Sequence, residues 1–334
     1  MPAPMMIPAA DHYWSTLVRQ DGEGAYQVVR RMVDMGVPLP DALEGIVVHV
    51  QQRIGDTWAA GEWSVSQEHA ATAISEEVVR RLMDEVPPPG TGRRPIVVAC
   101  AEHETHSLAA LVVTASLRSW GWPAEYVGPD ASSDQLLRRI DEVQPTAVMI
   151  SASLSSSLTR VARFVNAVAH SGVPVVVGGA AFDSGGLRAT RLGASAYAAT
   201  PAAARALLDD LPASLPHAVV PQPGLVHEEV ARLEQLAEDL SREVLEQVVG
   251  PVTMPDDDRG LDHWRIVLAT YTPHLVASMA GGVLTDDPTV PAAARAWLDG
   301  VMVRRGAPAG VTDEVWAGLR SRLADFPATN ALLA

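Results

Sequence analysis

A single cysteine, Cys100, in 334 residues excludes an intrachain disulfide framework and any zinc site built from several thiolates. No run of eighteen or more consecutive apolar residues occurs, so no membrane span is expected. The start, Met1-Pro2-Ala3-Pro4-Met5-Met6, lacks the charged-then-apolar order of a secretion signal. A cytoplasmic protein without membrane contact is the expectation. Positive charge is scarce as well: 25 Lys and Arg face 40 Asp and Glu, leaving a formal −15. So acidic a chain repels a phosphate backbone, which argues against direct nucleic-acid binding. Arg30-Arg31 and Arg80-Arg81 fall on predicted helices and read there as solvated faces.

What the chain does hold is apolar periodicity, in three regions expected at 1–92, 93–212 and 213–334. The first reads as four helices with short connections: His12 to Arg19, Gly22 to Met35, Pro38 to Gly55, and one that opens near Ser64 or Ser66 and runs to Met83. Ala25, Val28, Val29, Met32 and Val33 recur at helical spacing, and Pro87-Pro88-Pro89-Gly90 closes the region. An up-down four-helix bundle is expected. The second region alternates strands and helices, from Pro95 to Cys100 through Ala147 to Ser151 and Val173 to Gly178, which implies a doubly wound parallel sheet of Rossmann-like form. Pro212, Pro216, Pro221 and Pro223 then mark a semi-rigid linker. An all-α domain follows, with helices over Val226 to Val249, Leu261 to Gly281, Val290 to Arg304 and Thr312 to Leu323, the last opening on the cap-like Thr312-Asp313-Glu314.

The stretch that carries chemistry is Ala101-Glu102-His103-Glu104-Thr105-His106-Ser107-Leu108, placed at the carboxyl end of the first strand. Open α/β sheets bind ligands there, and a neutral imidazole on such a loop can reach a metal. His106 is the candidate ligand; Glu104 can accept a ring N–H and fix the tautomer. On these residues alone an ordinary polar loop stands as an equal reading. Ser151-Ala152-Ser153-Leu154 and Gly178-Gly179 end the next two strands with small residues, leaving room for a long ligand. His103 and His170 have weaker claims.

Together Glu104-x-His106, Ser151-x-Ser153-Leu154 and Gly178-Gly179 resemble the cobalamin-binding domain family, whose pattern is Asp/Glu-x-His-x-x-Gly, then Ser-x-Leu, then Gly-Gly. That resemblance implies His106 as lower cobalt ligand, with Thr105, Ser107 and Leu108 beside it, and a cofactor tail threaded between strands. Ala109 stands at the family's glycine, and the Ser-x-Leu position reads Ser151-x-Ser153.

Upstream, Trp58 is followed, after nine intervening residues, by Glu68-His69. Singly, Trp58 reads as a core aromatic and His69 as a surface histidine. Their spacing resembles the bundle of light-sensing adenosylcobalamin proteins related to bacterial carotenoid-gene repressors. The resemblance implies a bundle over the upper face of the cofactor, Trp58 packed on the adenosyl group, and Glu68 and His69 hydrogen-bonded around it. Several members carry a histidine directly after the Trp that caps cobalt after illumination; Ala59 occupies that position, leaving His69 as the nearest alternative upper ligand and His49 behind it.

In the last region His263, Trp264, Arg265, Tyr271, His274, Trp297, Arg304, Arg305 and Trp316 sit among apolar residues. They suit either the snorkelling rim of a plain helical core or a tetrapyrrole pocket. The order of domains is similar to the photocobilins, which combine cobalamin with biliverdin; this implies biliverdin held without a covalent bond, its propionates met by His263, His274, Arg304 and Arg305. The expected function is light sensing by adenosylcobalamin, not enzymatic turnover, in a homo-oligomer whose assembly changes with light and whose downstream effector is unidentified. A corrinoid methyl carrier of a methyltransferase system is the rival, and a cofactor-free helical scaffold would leave His106 without a task.

Overall fold

The computed structural model describes residues 6–87, 90, 92–210, 225–253 and 260–333. Apolar residues at helical spacing make α1 (Met6–Val18), α2 (Gly22–Asp34) and α5 (Val65–Asp84) amphipathic, with Tyr13, Leu17, Val29 and Val79 buried between them. Asp21 caps α2 by accepting from the Gly24 N–H, and Ser64 with Gln67 forms a reciprocal capping box at the start of α5. Between α2 and α5, α3 (Leu39–Ala42) passes through a π-helical turn, Leu43–Val48, into α4 (His49–Ala59) without a break. The helix expected to end at Gly55 therefore runs on, and Trp58 lies in its last turn.

Five strands follow in the order β2-β1-β3-β4-β5, all parallel: β1 (Ile96–Cys100), β2 (Ala124–Tyr126), β3 (Ala147–Ser151), β4 (Val175–Gly178) and β5 (Ala196–Tyr197). Every residue of β1 and β3 is buried, as strands covered on both faces require. The covering helices are α6 (Leu108–Ser119), α7 (Ser133–Val143), α8 (Leu158–Ala169), α9 (Leu187–Arg191) and α10 (Pro201–Asp209). Ala110 and Leu117 of α6 share one core with Ala204 and Leu208 of α10, while Leu136, Ile140, Val161 and Phe164 of α7 and α8 fill the opposite face. The outer side of α6, with Leu108, Leu111 and Ala115, joins the core of the helical bundle. Register aligns Cys100 with Ser151 and Ser151 with Gly178, so the three strand-end motifs stand side by side.

The C-terminal region is helical: α11 (Leu225–Val249), α12 (Trp264–Thr285), α13 (Thr289–Arg304), α14 (Val311–Ser321) and α15 (Pro327–Leu333). By length and composition α12 could cross a membrane, yet it is the central helix here, with Leu268, Leu275 and Met279 buried. It docks on a 3₁₀ turn at Ser155–Ser157, and Gly281 permits the approach: a Cβ there would sit 3.0 Å from the Ser155 carbonyl oxygen. Thr312 does not cap α14. Gly310, at φ +81°, holds that position, and Thr312 is buried inside the first turn. The short α15, opening on Pro327, was not expected, and the prolines of the expected linker lie outside the described residues.

Candidate functional site

Beyond β1 the chain is pinned before it turns: the Ala101 N–H donates to Ser151 O (3.0 Å) and the Glu104 N–H to Ala101 O (2.9 Å). His103 takes a left-handed φ of 59° and binds Asp130 through its backbone N–H (2.6 Å). Glu104 is thereby driven inward to 1% exposure. Its carboxylate accepts from the His106 N–H (3.1 Å), the His106 ring Nδ1, the Ser153 N–H (3.1 Å), the Leu154 N–H (3.2 Å) and the Ser157 hydroxyl (3.1 Å). Burial alone would raise its pKa. The His106 ring bond, the charge of that ring and the backbone donors outweigh burial and hold the carboxyl below its ordinary value. The same contact raises His106, against burial, with help from the charges of Glu104, Glu68 and Glu76.

The ring of His106 is half exposed. Donation from Nδ1–H to Glu104 fixes the tautomer and leaves Nε2 as the outward nitrogen, as a metal-binding imidazole requires. From Ala109, three residues past His106, a cavity of about 330 Å³ runs between α6 and the sheet, past Val98, Val113, Ser151, Gly178 and Gly179. Its two glycines lie too close to neighbouring backbone to carry a side chain. A Cβ on Gly178 would meet Ala198 O at 2.6 Å, and one on Gly179, at φ +104°, would meet Ala152 O at 2.2 Å. An anchored imidazole next to an apolar slot walled by small residues fits a cobalamin whose displaced tail enters the sheet domain.

The other motif residues have local tasks. Ser153 and Leu154 serve through their backbone N–H groups on Glu104, Ser107 donates to Glu76 of α5, and Leu108 packs into the bundle core. Thr105 is exposed and lends its carbonyl to the Ser107 N–H (2.9 Å).

From the bundle, Glu68 stands in the first turn of α5. Thr72 donates to it at 2.9 Å and is itself held by Gln51 at 2.8 Å. Its charge is among those that raise His106 and, after burial, Tyr271, so it stands within electrostatic reach of both. His69, 3.4 Å from Glu68, is 74% exposed. Trp58 does not lie open over His106: it is 7% exposed and built into the C-terminal core, against Tyr271 (5.6 Å), Trp297 (6.0 Å) and Arg305 (4.8 Å).

Of the four residues expected to bind propionates, Arg305 bonds Asp262, the neighbour of His263, while His274 stands apart. His263 caps α12 by accepting from the Arg265 N–H (3.2 Å); His274, eleven residues further, lies about 16 Å along the helix. Arg304 is exposed and Arg305 covers Trp58. His274 is instead bound through Nδ1 to the Ser156 hydroxyl (2.9 Å), and burial, then Arg160, lowers its pKa. One position along, Ser155 meets Ser278 at 2.9 Å. Sequence reading missed this bridge of three serines from Glu104 to α12. Its only signal was the uninterrupted Ser155-Ser156-Ser157 just past the Ser151-x-Ser153 motif.

Residues 94–207 match the family model of the B12 binding domain, and residues 9–83 match a second model that bears the same description. The chain is therefore a cobalamin-binding protein, with a helical B12-binding region followed by one of Rossmann-like fold. Solved structures similar to it include the monomethylamine corrinoid protein of Methanosarcina barkeri, at 20% identity and a TM-score of 0.49 over 60% of this chain and 98% of that one. A cobalamin-binding protein from Desulfitobacterium hafniense gives 18%, 0.33, 59% and 95% in the same order. The methanol:cobalamin methyltransferase complex of Methanosarcina barkeri gives 14%, 0.35, 63% and 82%. No curated protein matches the chain.

Proposed function

We propose that this protein is a light sensor that holds adenosylcobalamin between the bundle and the sheet domain, with His106 as the lower cobalt ligand. Adenosylcobalamin supplies a cobalt–carbon bond that light breaks. The chain's part is to orient the cofactor and to register the loss of its upper group. Glu104 sets the ring of His106, the slot beside Gly178 and Gly179 takes the tail, and Glu68 faces the upper group.

One observation carries this reading over the methyl-carrier rival: α12 is fastened across the strand ends. Ser278 and His274 bond the Ser155–Ser157 turn, and Arg188 pairs with Asp287 at 2.9 Å with both side chains largely buried. A methyl carrier must present cobalt to successive enzymes, which a docked helix over the site hinders. A sensor gains from the same enclosure, because removal of a bulky upper group changes contacts that α12 and the bundle share.

The reading extends to two further expectations. Self-association changes between dark and light. Biliverdin binds in residues 225–333 without a covalent link, since Cys100, the sole cysteine, is buried in β1 with its thiol pushed up to about 12 by that burial.

The test is a pair of absorption spectra and size measurements on protein loaded with adenosylcobalamin, before and after green light. Spectral conversion with a change in mass or shape supports the sensor; a photolysed cofactor with identical assembly removes the sensing step. His106→Ala should give a spectrum without histidine ligation. Co-expression with a biliverdin source should add a far-red band whose pigment leaves on acid denaturation, whereas colour retained by the denatured chain would contradict the non-covalent link.

A further inference from the structure

A surface helix ordinarily turns polar and charged side chains to the solvent. In the C-terminal region α11 does so with Arg232, Gln235, Glu238, Asp239 and Glu246. Its neighbour α13 does not. Leu298, Val301 and Met302 of α13 enter the C-terminal core, yet the opposite side carries Ala293, Ala296 and Val303, all exposed, with Gly300 between the last two. Val303 is 67% exposed, and Trp297, beside this row, 43%. A helix apolar on both sides belongs inside a larger assembly. Asp299 and Arg304 flank the row on opposite rims, both exposed, and neither side chain has a polar partner among the described residues. Without an acceptor, Arg304 lies back along its own helix, its Nη1 3.5 Å from where a Cβ on Gly300 would stand.

We infer that this face of α13 is a homodimer surface, on which α13 of a second copy of this chain packs in parallel about a two-fold axis. Positions 293, 296, 300 and 303 are spaced as the a and d places of successive heptads, and in a helix pair such a row forms the seam. Small side chains there let the two backbones come close. Asp299 and Arg304 then hold the g and e places. In a parallel pair each g residue meets the following e residue of the other strand, so Asp299 of one copy meets Arg304 of the other, twice by symmetry. Trp297 covers Ala292 of the second copy in the same way. An antiparallel pair sets each rim against its own kind and leaves both charges unmatched. The 16 residues of α13 span about 24 Å, and one helix face of that length buries less than the about 800 Å² per partner of a stable interface. The dimer is therefore weak and open to regulation. Because Trp297 also stacks on Trp58, at 6.0 Å, a shift of α4 reaches the seam. The inference names a surface for the self-association expected above, yet it rests on α13 alone and needs neither light nor cofactor.

The experiment is sedimentation velocity of the full apo chain in the dark, over about a hundredfold range of concentration. Wild type should pass from monomer to dimer as concentration rises. Ala296→Glu, a change at the exposed centre of the seam, should keep the helix content by circular dichroism and raise the dissociation constant by about tenfold or more. Asp299→Arg should weaken the dimer by setting like charges together, and Asp299→Arg combined with Arg304→Asp should restore it. A wild type that stays monomeric, a monomer that instead pellets with phosphatidylglycerol vesicles, or a dimer that Ala296→Glu leaves intact would overturn the inference. Two reversed charges without rescue would overturn the parallel pairing. The light-sensing reading fails separately: its spectral conversion is read on loaded protein, and the Ala296→Glu chain should show it in full.

Discussion

At Glu104 a carboxylate with 1% exposure accepts from five donors, so any change there leaves several of them unpaired. Glu104→Gln puts an amide NH₂ among those donors and loosens the ring of His106; cobalamin affinity should fall about ten- to hundredfold, measured by titration of the apo protein. The pair also sets a pH dependence. His106 has a raised folded pKa, so its share of stability is complete below the unfolded value and is lost as pH rises through the folded one. Glu104 has a lowered folded pKa, so its share is present above the unfolded value and is lost as pH falls through the folded one. Cobalt needs Nε2 without a proton. Cofactor affinity should therefore climb as pH rises through the raised His106 value, and His106→Ala should flatten that climb; a profile level from about pH 6 to about pH 9 would refute the assignment. Glu104, His106, Gly178 and Gly179 were legible in the sequence because each belongs to a short motif at a strand end. Ser155 and Ser156 were not, because their partners on α12 lie 123 and 118 residues away and no local pattern encodes that pairing.

Among the elements, α5 matters most to the upper side of the proposed site, because Glu68 occupies its first turn. The Ser64 and Gln67 capping box holds that turn together. Ser64→Ala should cost about 1 kcal/mol, lower the melting temperature by about 2–4 °C, and weaken cobalamin binding through Glu68. An unchanged melting temperature would show that tertiary contacts alone order the turn. The π turn at Leu43–Val48 has a separate effect: one extra residue in a helical turn rotates everything after it by about 100° relative to an uninterrupted helix. Trp58 reaches Tyr271 and Arg305 only with that rotation, so deletion of Gly45 should break the aromatic cluster, visible as a shift in tryptophan fluorescence. Strands and helices of the sheet domain could be read nearly residue by residue, since parallel strands are short apolar runs between turn residues. The π turn was invisible, because an extra residue changes no hydrophobic pattern over a single turn, and α15 was missed because seven residues after Pro327 show too little periodicity.

In the whole molecule the C-terminal region bonds to both of the others. The Asp262 carboxylate accepts from the Val65 N–H at 2.9 Å, joining it to the bundle at the start of α5. Arg188 with Asp287, and Arg191 with the Thr285 and Asp286 carbonyls, join it to the sheet domain. These polar contacts stand beside apolar ones, Trp58 in the C-terminal core and Val290 in that of the sheet domain, and Asp262 and Asp287 can be replaced without touching either core. Asp262→Ala combined with Asp287→Ala should leave helix content unchanged by circular dichroism and should speed release of bound cobalamin, followed by transfer to an excess of a competing cobalamin-binding protein. Equal release rates would mean that α12 does not bar the exit. The fastening of α12 across the strand ends also imposes an order in time. In the proposed arrangement a corrin beneath α12 cannot enter while that helix is bonded to the Ser155–Ser157 turn, so loading precedes docking or waits for it to open. Apo protein kept long enough to dock should thus take up cobalamin more slowly than freshly refolded chain. The age of the protein, and not only its affinity, then decides how quickly it can be charged.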